Sequence, residues 1–193
     1  PHISCYSLIL EENTPLFEMV KNKNIKLPGE EKVIKMFDFC NKFLSKNKIL
    51  RYEVSNFAKK GFECKHNLVY WNLQNFLGFG LNAHSKIDNQ EFENFSDFKD
   101  YFLSLDSGKK PIKLFETVSK QEMQEEYIML GLRKAQGIDL KNFEEIFGFD
   151  LLEKKNNQIK NFINNKFLTN ENGFLKATDL GFKVLNQIIL ELI

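Results

Sequence analysis

The chain lacks a strong charge of either sign. Its 27 basic and 26 acidic residues leave a formal net charge of +1, whereas proteins that hold a polyanion use an excess of positive charge. We therefore expect no nucleic-acid partner. The sequence also lacks any apolar run of about 18 residues, the length that a membrane-spanning helix needs, so we expect no membrane span.

Cysteine is scarce, and its spacing excludes several kinds of site. Cys5, Cys40 and Cys64 are odd in number and widely separated, which argues against a disulfide framework and favours a reducing, cytoplasmic location. Cys64 and His66 are too few for zinc, which takes four ligands, usually from two separated pairs. We expect buried, unreactive thiols at all three positions.

Apolar residues make up 42% of the chain, enough for a hydrophobic core in one or two domains. The pattern predicts a buried strand over residues 2–10, an amphipathic helix over 30–45 and a second strand over 49–55. A strand, helix, strand order favours a parallel crossover unit of an α/β sheet or barrel. Short strands are expected at 76–79, 84–87 and 91–95, followed by a helix over 96–105 that Ser96 caps.

The pattern becomes mainly helical after residue 110, where we place a domain boundary. A capping box at Ser119 and Glu122 predicts the start of a helix over 123–134, and Asn172-Gly173 predicts a hairpin turn. The remaining helices are expected at 140–147, 151–164 and, capped by Thr178, 179–192. Residues 1–110 therefore predict an α/β domain, and residues 111–193 a mainly helical domain of winged-helix type.

Residues 51–71 and 78–85 concentrate polar and aromatic side chains: one cysteine, two histidines, two tyrosines and the only tryptophan. The hydrophobic periodicity is too irregular for a single helix or strand, so we interpret the segment as a site. His66 is the main candidate. Considered by spacing alone, His66 is better explained as a structural loop histidine, with Tyr70 and Trp71 as core anchors.

Three motifs in order resemble a known family. They are Tyr-Glu-Val-Ser-Asn-Phe-Ala at 52–58, Gly-x-x-Cys-x-His-Asn-x-x-Tyr-Trp at 61–71 and Leu-Gly-x-Gly-x-x-Ala-His-Ser at 77–85. With the opening residues 1–8 and the tail 125–192, they resemble the radical-SAM, oxygen-independent coproporphyrinogen III oxidase-like family, and more narrowly its haem-chaperone branch of HemW type. The resemblance spans nearly the whole chain.

The resemblance implies that this chain is the C-terminal portion of a longer protein. The family builds its [4Fe-4S] cluster on a Cys-x-x-x-Cys-x-x-Cys motif, which the three distant cysteines cannot supply. We therefore expect the cluster and most contacts to S-adenosylmethionine in residues not present here. The α/β part would then be the C-terminal part of a radical-SAM, TIM-like barrel, and residues 111–193 the helical C-terminal domain of the family.

The resemblance also carries haem binding onto His66, Asn67, Tyr70 and Trp71. A neutral imidazole is a normal axial ligand of haem iron, so His66 is the candidate metal ligand, while the other three would orient the macrocycle or stack on it.

Several further residues have open interpretations. Gly78 and Gly80 either let the backbone approach a cofactor closely or relieve a tight bend, and the resemblance supports the cofactor. Glu53 and Ser55 would share one face of a strand end and Asn56 the other, so that at most one set points inward. Arg133, Lys134 and the lysines of 156–166 are diluted by acidic residues and predict a solvated surface.

The sequence leaves three functions open for the parent protein. The first is a chaperone that binds haem or a porphyrin and passes haem to an acceptor protein, and the second is an oxygen-independent oxidase that decarboxylates the propionates of coproporphyrinogen III. The His-Asn-x-x-Tyr-Trp motif favours the chaperone. The third is a winged-helix interaction module. We expect no catalysis by this chain alone.

Overall fold

Helices alternate with short antiparallel strands along the chain, in a computed structural model that describes residues 1–193. The strands form three separate sheets of three strands each. The chain divides into two units, Pro1–Glu63 and Cys64–Ile193. The mixed α/β character agrees with the predicted fold class, while the domain boundary at residue 110 stays a prediction.

The first unit contains three strands and two helices. They are β1 (His2–Ser4), α1 (Pro15–Lys21), α2 (Glu30–Lys46), β2 (Leu50–Arg51) and β3 (Asn56–Ala58). The sheet order is β1-β3-β2, and both pairs are antiparallel. β1 and β2 therefore run parallel to each other, as the predicted crossover requires, but they do not pair, because β3 lies between them. A tight turn after β2, in which the Tyr52 amide donates to the Asn56 carbonyl, brings β3 back between the other two strands.

Two predicted elements of this unit are shorter than their hydrophobic patterns. The strand expected over residues 2–10 ends at Ser4, and Tyr6, Leu8 and Ile9 are exposed. The strand expected over 49–55 is reduced to β2. Apolar side chains alone do not extend a strand when no neighbouring backbone pairs with it. The helix α2 is confirmed and ends one residue beyond the prediction.

The second unit begins with the elements around the candidate site. They are α3 (Lys65–Trp71), β4 (His84–Ile87), β5 (Gln90–Asn94), α4 (Phe98–Asp106) and β6 (Ile112–Thr117). The β4–β5 hairpin is confirmed, and its turn places Asp88 at a φ of 54°. The strand expected over 76–79 is wrong, because only Phe76 forms a bridge, to Lys86. Asp97 rather than Ser96 caps α4. The strand β6, which pairs with β5, was not predicted.

The rest of this unit is mainly helical around a small sheet. It contains α5 (Lys120–Arg133), β7 (Ile138–Asp139), α6 (Leu140–Phe147), α7 (Leu151–Lys154), α8 (Asn156–Asn164), β8 (Leu168–Glu171), β9 (Phe174–Ala177), a 3-10 turn (Gly181–Val184) and α9 (Leu185–Leu192). The capping box of α5, the bounds of α6 and the hairpin at Asn172-Gly173 are confirmed. The helix expected over 151–164 is broken at Lys155. The final helix begins at Leu185 rather than at residue 179, so Thr178 does not cap it; the Thr178 hydroxyl instead accepts the Gly181 amide at the start of the 3-10 turn.

The core of the second unit lies between α5, α9 and the β7-β9-β8 sheet. Its fully buried side chains include Ile128, Leu132, Phe143 and Ile188. Gly137 allows the chain to turn closely into β7, because its φ is +83° and a Cβ there would lie 2.3 Å from the Leu175 carbonyl oxygen. No helix of the structure combines the length and the apolar character needed to cross a membrane.

Candidate functional site

The segment that carries the His-Asn-x-x-Tyr-Trp motif is a short helix, α3, and not an irregular loop. The interpretation of His66 as a loop histidine is therefore wrong, whereas the segment as a whole is indeed no single helix or strand. Seven residues complete fewer than two helical turns, too few for a pattern of period 3.6 to emerge. Residues four apart share a helix face. The helix therefore places His66 with Tyr70 on one face and Asn67 with Trp71 on another.

His66 and Tyr70 form an exposed pair. The Tyr70 hydroxyl and His66 Nε2 are hydrogen-bonded at 3.0 Å, and the two rings meet edge to face with centroids 5.0 Å apart. Tyr70 also packs edge to face on Phe76, at 4.6 Å, and Phe76 is fixed by its two backbone hydrogen bonds with Lys86. The imidazole is thus oriented by a phenol, which is itself supported by a ring anchored to β4, and remains open to a ligand.

The loop after α3 adds apolar surface. Tyr70 is 40% exposed, Leu77 57% and Phe79 88%. A contiguous patch of such side chains marks a binding surface, whereas single exposed apolar residues are common on any protein. An accessible imidazole and exposed aromatic rings on α3 and the following loop are suited to a flat apolar ligand that presents a metal ion.

Gly78 is required by a close backbone approach within this loop. A Cβ at Gly78 would lie 2.2 Å from the His84 carbonyl oxygen, and the Gly78 amide donates to the Ser85 hydroxyl at 3.0 Å. Gly80 has a φ of +101° with open space where a Cβ would stand. A tight bend accounts for both glycines. Contact of Gly78 or Gly80 with a cofactor stays a prediction.

In the first unit, Glu53 and Asn56 are both buried, so the expected alternation of faces is wrong. Residues 52–55 form a turn between β2 and β3, where strand alternation does not apply. Glu53 Oε2 accepts the Ser55 amide at 3.2 Å, while Oε1 has no hydrogen-bond partner. Burial raises the pKa of the Glu53 carboxyl, and the hydrogen bond from Ser55 only partly opposes this effect.

None of the three cysteines forms a disulfide. Cys5 and Cys40 are half-buried and line one apolar cavity of about 290 Å³ with Met36 and Phe37, and burial raises the pKa of the Cys5 thiol, as does the nearby Cys40. Cys64 immediately precedes α3. No group of three or more His, Cys, Asp and Glu side chains is arranged to hold a metal ion. The residues of this chain therefore do not fit an iron–sulfur cluster.

The sequence did not predict a polar cavity of about 300 Å³ in the second unit. Trp71 of α3 lines it together with Tyr127 and Lys134 of the α5 region and Asn142 of α6. Lys134 is half-buried there, so its assignment to a solvated surface is wrong. These residues are far apart in the sequence, and no local pattern joins them.

Comparisons with known proteins agree with the motifs. The family model of the HemN C-terminal domain matches residues 118–184. The haem chaperone HemW of Lactococcus lactis is 34% identical over 97% of this chain and 49% of its own length. HemW of Bacillus subtilis is 35% identical over 78% of the chain and 40% of its own length. The chain thus spans about half the length, or less, of these curated relatives.

A solved structure is similar to the fold. It is the coproporphyrinogen III oxidase HemN of Escherichia coli, a radical SAM enzyme, with a TM-score of 0.66 over 90% of this chain and 44% of that one. The two sequences are 14% identical, so this likeness concerns the fold alone. By the HemN C-terminal match and the HemW relatives, the chain belongs to the oxygen-independent coproporphyrinogen III oxidase-like family, in its HemW-type branch.

Proposed function

We propose that the protein to which this chain belongs is a haem chaperone of the radical-SAM type, which binds haem and passes it to an acceptor protein. The observation that carries the proposal is the exposed His66–Tyr70 pair on α3, within the motif expected to bind haem. The names of the relatives support the proposal, since proteins that match over 97% of this chain are named haem chaperones.

His66 is the proposed axial ligand of the haem iron. Its ring is exposed, and the hydrogen bond with Tyr70 holds one of its nitrogens. Coordination through Nε2 would replace that hydrogen bond, at a cost of about 1 kcal/mol, whereas coordination through Nδ1 would leave it in place. The exposed rings of Tyr70 and Phe79 offer apolar contact to the macrocycle. Asn67 and Trp71 would support the helix from its other face.

The redox cofactors are proposed to lie outside this chain. No metal ligand set for a [4Fe-4S] cluster is present, so the cluster and S-adenosylmethionine would be held by other residues of the full-length protein. Residues 1–110 would be the C-terminal part of a TIM-like barrel, with Gly78 and Gly80 near its cofactor pocket, and residues 111–193 would form a winged-helix-like domain. The absence of disulfides favours a reducing, cytoplasmic location.

An oxygen-independent coproporphyrinogen III oxidase is the second candidate. The fold likeness to HemN of Escherichia coli favours it. Oxidative decarboxylation of coproporphyrinogen III by the full-length protein would replace the chaperone proposal. Haem binding without that activity would support the chaperone.

A haem titration tests the role of His66. The Soret absorption band of haem bound to this chain should shift in His66→Ala, because an imidazole ligand sets the electronic environment of the iron. His84→Ala is the matched control, since His84 is also exposed but lies on β4. Identical spectra for the wild type and both variants would remove His66 as ligand. An absence of any haem binding would instead favour a protein interaction module.

A further inference from the structure

The polar cavity of the second unit lies where the C-terminal end of α3 meets α5, β7 and α6. Its volume is about 300 Å³, at the low end of the range of roughly 300–1,000 Å³ for ligand pockets. The cavity suits a group the size of a side chain rather than a whole macrocycle. Its walls include Trp71, Asn72, Tyr127, Lys134, Asn142 and Phe174.

Lys134 supplies a positive charge to this cavity. Its Nζ donates to Asn72 Oδ1 at 2.8 Å, and an ammonium group has three hydrogens to donate, so two remain for a ligand. Burial lowers the pKa of Lys134, and the negative charge of Asp139 opposes this effect. A half-buried ammonium gains hydrogen bonds and charge compensation when an anion enters.

Tyr127 adds a second donor. Its hydroxyl oxygen accepts from Asn142 Nδ2 at 2.6 Å, which leaves the phenolic hydrogen for another acceptor. Burial raises the pKa of Tyr127, so the phenol stays protonated at neutral pH. Lys134 and Tyr127 therefore present an N–H and an O–H donor to one cavity, as a carboxylate with two acceptor oxygens requires.

Asp139 limits the kind of anion that can bind. It is the one carboxylate on the wall of this cavity, and its Oδ1 accepts the Asn142 amide at 3.0 Å as the cap of α6. Lys134 and Asp139 leave the wall with no net charge, so a singly charged carboxylate meets less repulsion from Asp139 than a phosphate dianion would. The wall charges therefore favour a monocarboxylate.

We propose that this cavity binds a carboxylate, and that it receives one propionate of a tetrapyrrole held by α3. The tetrapyrrole part rests on the function proposed above. Trp71 supplies the link, because it lines the cavity and follows His66 on α3 by about 7.5 Å along the axis and about 140° around it. The propionate would therefore reach around the C-terminal end of this short helix to enter the cavity. The carboxylate would be bound by Lys134 and Tyr127, while the macrocycle stays outside.

Iron-free protoporphyrin IX and its dimethyl ester test the tetrapyrrole part by fluorescence titration, without any axial ligation. The free acid should bind Lys134→Met roughly tenfold more weakly than the wild type, and Tyr127→Phe a few-fold more weakly, because each loses a donor to the carboxylate. The dimethyl ester should bind all three alike. Lys141→Met, which removes an exposed lysine of α6, is the control for overall charge.

An equal loss for acid and ester, or no loss, would overturn the propionate assignment even if haem binding depends on His66. Sodium propionate tests the carboxylate site separately, through the NMR signals of the Asn72 and Asn142 side-chain amides. These signals should shift in the wild type and not in Lys134→Met. Unshifted wild-type signals would overturn the site itself. If the signals shift but the chain binds neither protoporphyrin IX nor its ester, the carboxylate site is supported and the tetrapyrrole assignment is wrong. Circular dichroism of each variant checks that it is folded.

Discussion

Lys86 is a buried cation that joins three elements of the second unit. Its side chain is 6% exposed, and Nζ donates to Glu91 of β5 at 2.5 Å and to Glu126 of α5 at 2.9 Å. Its backbone pairs with Phe76, whose ring supports Tyr70 in the candidate site. Removing this ammonium group therefore tests whether the ion pairs hold the β4–β5 hairpin against α5.

Lys86→Met keeps most of the side-chain volume and removes the charge. Breaking a buried ion pair by removing one partner costs about 3–5 kcal/mol. Glu91 and Glu126 are 42% and 29% exposed, so water solvates both carboxylates after the substitution and offsets part of that cost. We expect the free energy of unfolding to fall by about 1–3 kcal/mol.

The assay is urea unfolding followed by circular dichroism at pH 7. Lys113→Met is the matched control, because Lys113 is half exposed and lies 3.9 Å from Glu93; its effect should stay within about 0.5 kcal/mol. Equal stability of the two variants would refute the reasoning about Lys86.

The pH dependence gives a second check. Burial lowers the pKa of Lys86, but its hydrogen bonds and charge interactions with Glu91 and Glu126 outweigh that effect, so the pKa is raised overall. The stabilisation is therefore complete below the pKa of an unfolded lysine, about 10.4, and is lost as the pH rises through the higher pKa of the folded state. The gap between the wild type and Lys86→Met should shrink in that range, and a gap that widens would contradict the assignment.

Two further predictions concern stability. Gly137→Ala should lower the free energy of unfolding by clearly more than Gly148→Ala, because both glycines have a φ near +80° but only a Cβ at position 137 meets a backbone oxygen, that of Leu175. Gly148→Ala is the control and should lose about 1 kcal/mol. Equal losses of the two variants in urea unfolding would exclude the clash. Glu53→Gln should stabilise the chain at pH 7. Burial raises the pKa of Glu53, so the wild-type folded state loses stability as pH rises above the pKa of an unfolded glutamate. A variant less stable than the wild type at pH 7 would show that the ionised carboxylate is favourable.

Elements with local signals could be predicted from the sequence. The capping box at Ser119 and Glu122, the helix α6 and the Asn172-Gly173 hairpin depend on residues a few positions apart. Elements that depend on distant partners could not. The strand β6 is mostly exposed and exists because β5 lies beside it, and the helix α3 is too short to show its own period.

The sequence by itself determined the family, because motifs in a fixed order are recognised from residue identities alone, without knowledge of the fold. It also placed His66 and Tyr70 in one candidate set with Asn67 and Trp71, whereas the hydrogen bond between His66 and Tyr70 required the helix. Only the tertiary structure brought Trp71, Tyr127 and Lys134 to one cavity. The physical reason is that burial and charge pairing depend on neighbours in space, and these three residues come from positions up to 63 apart along the chain.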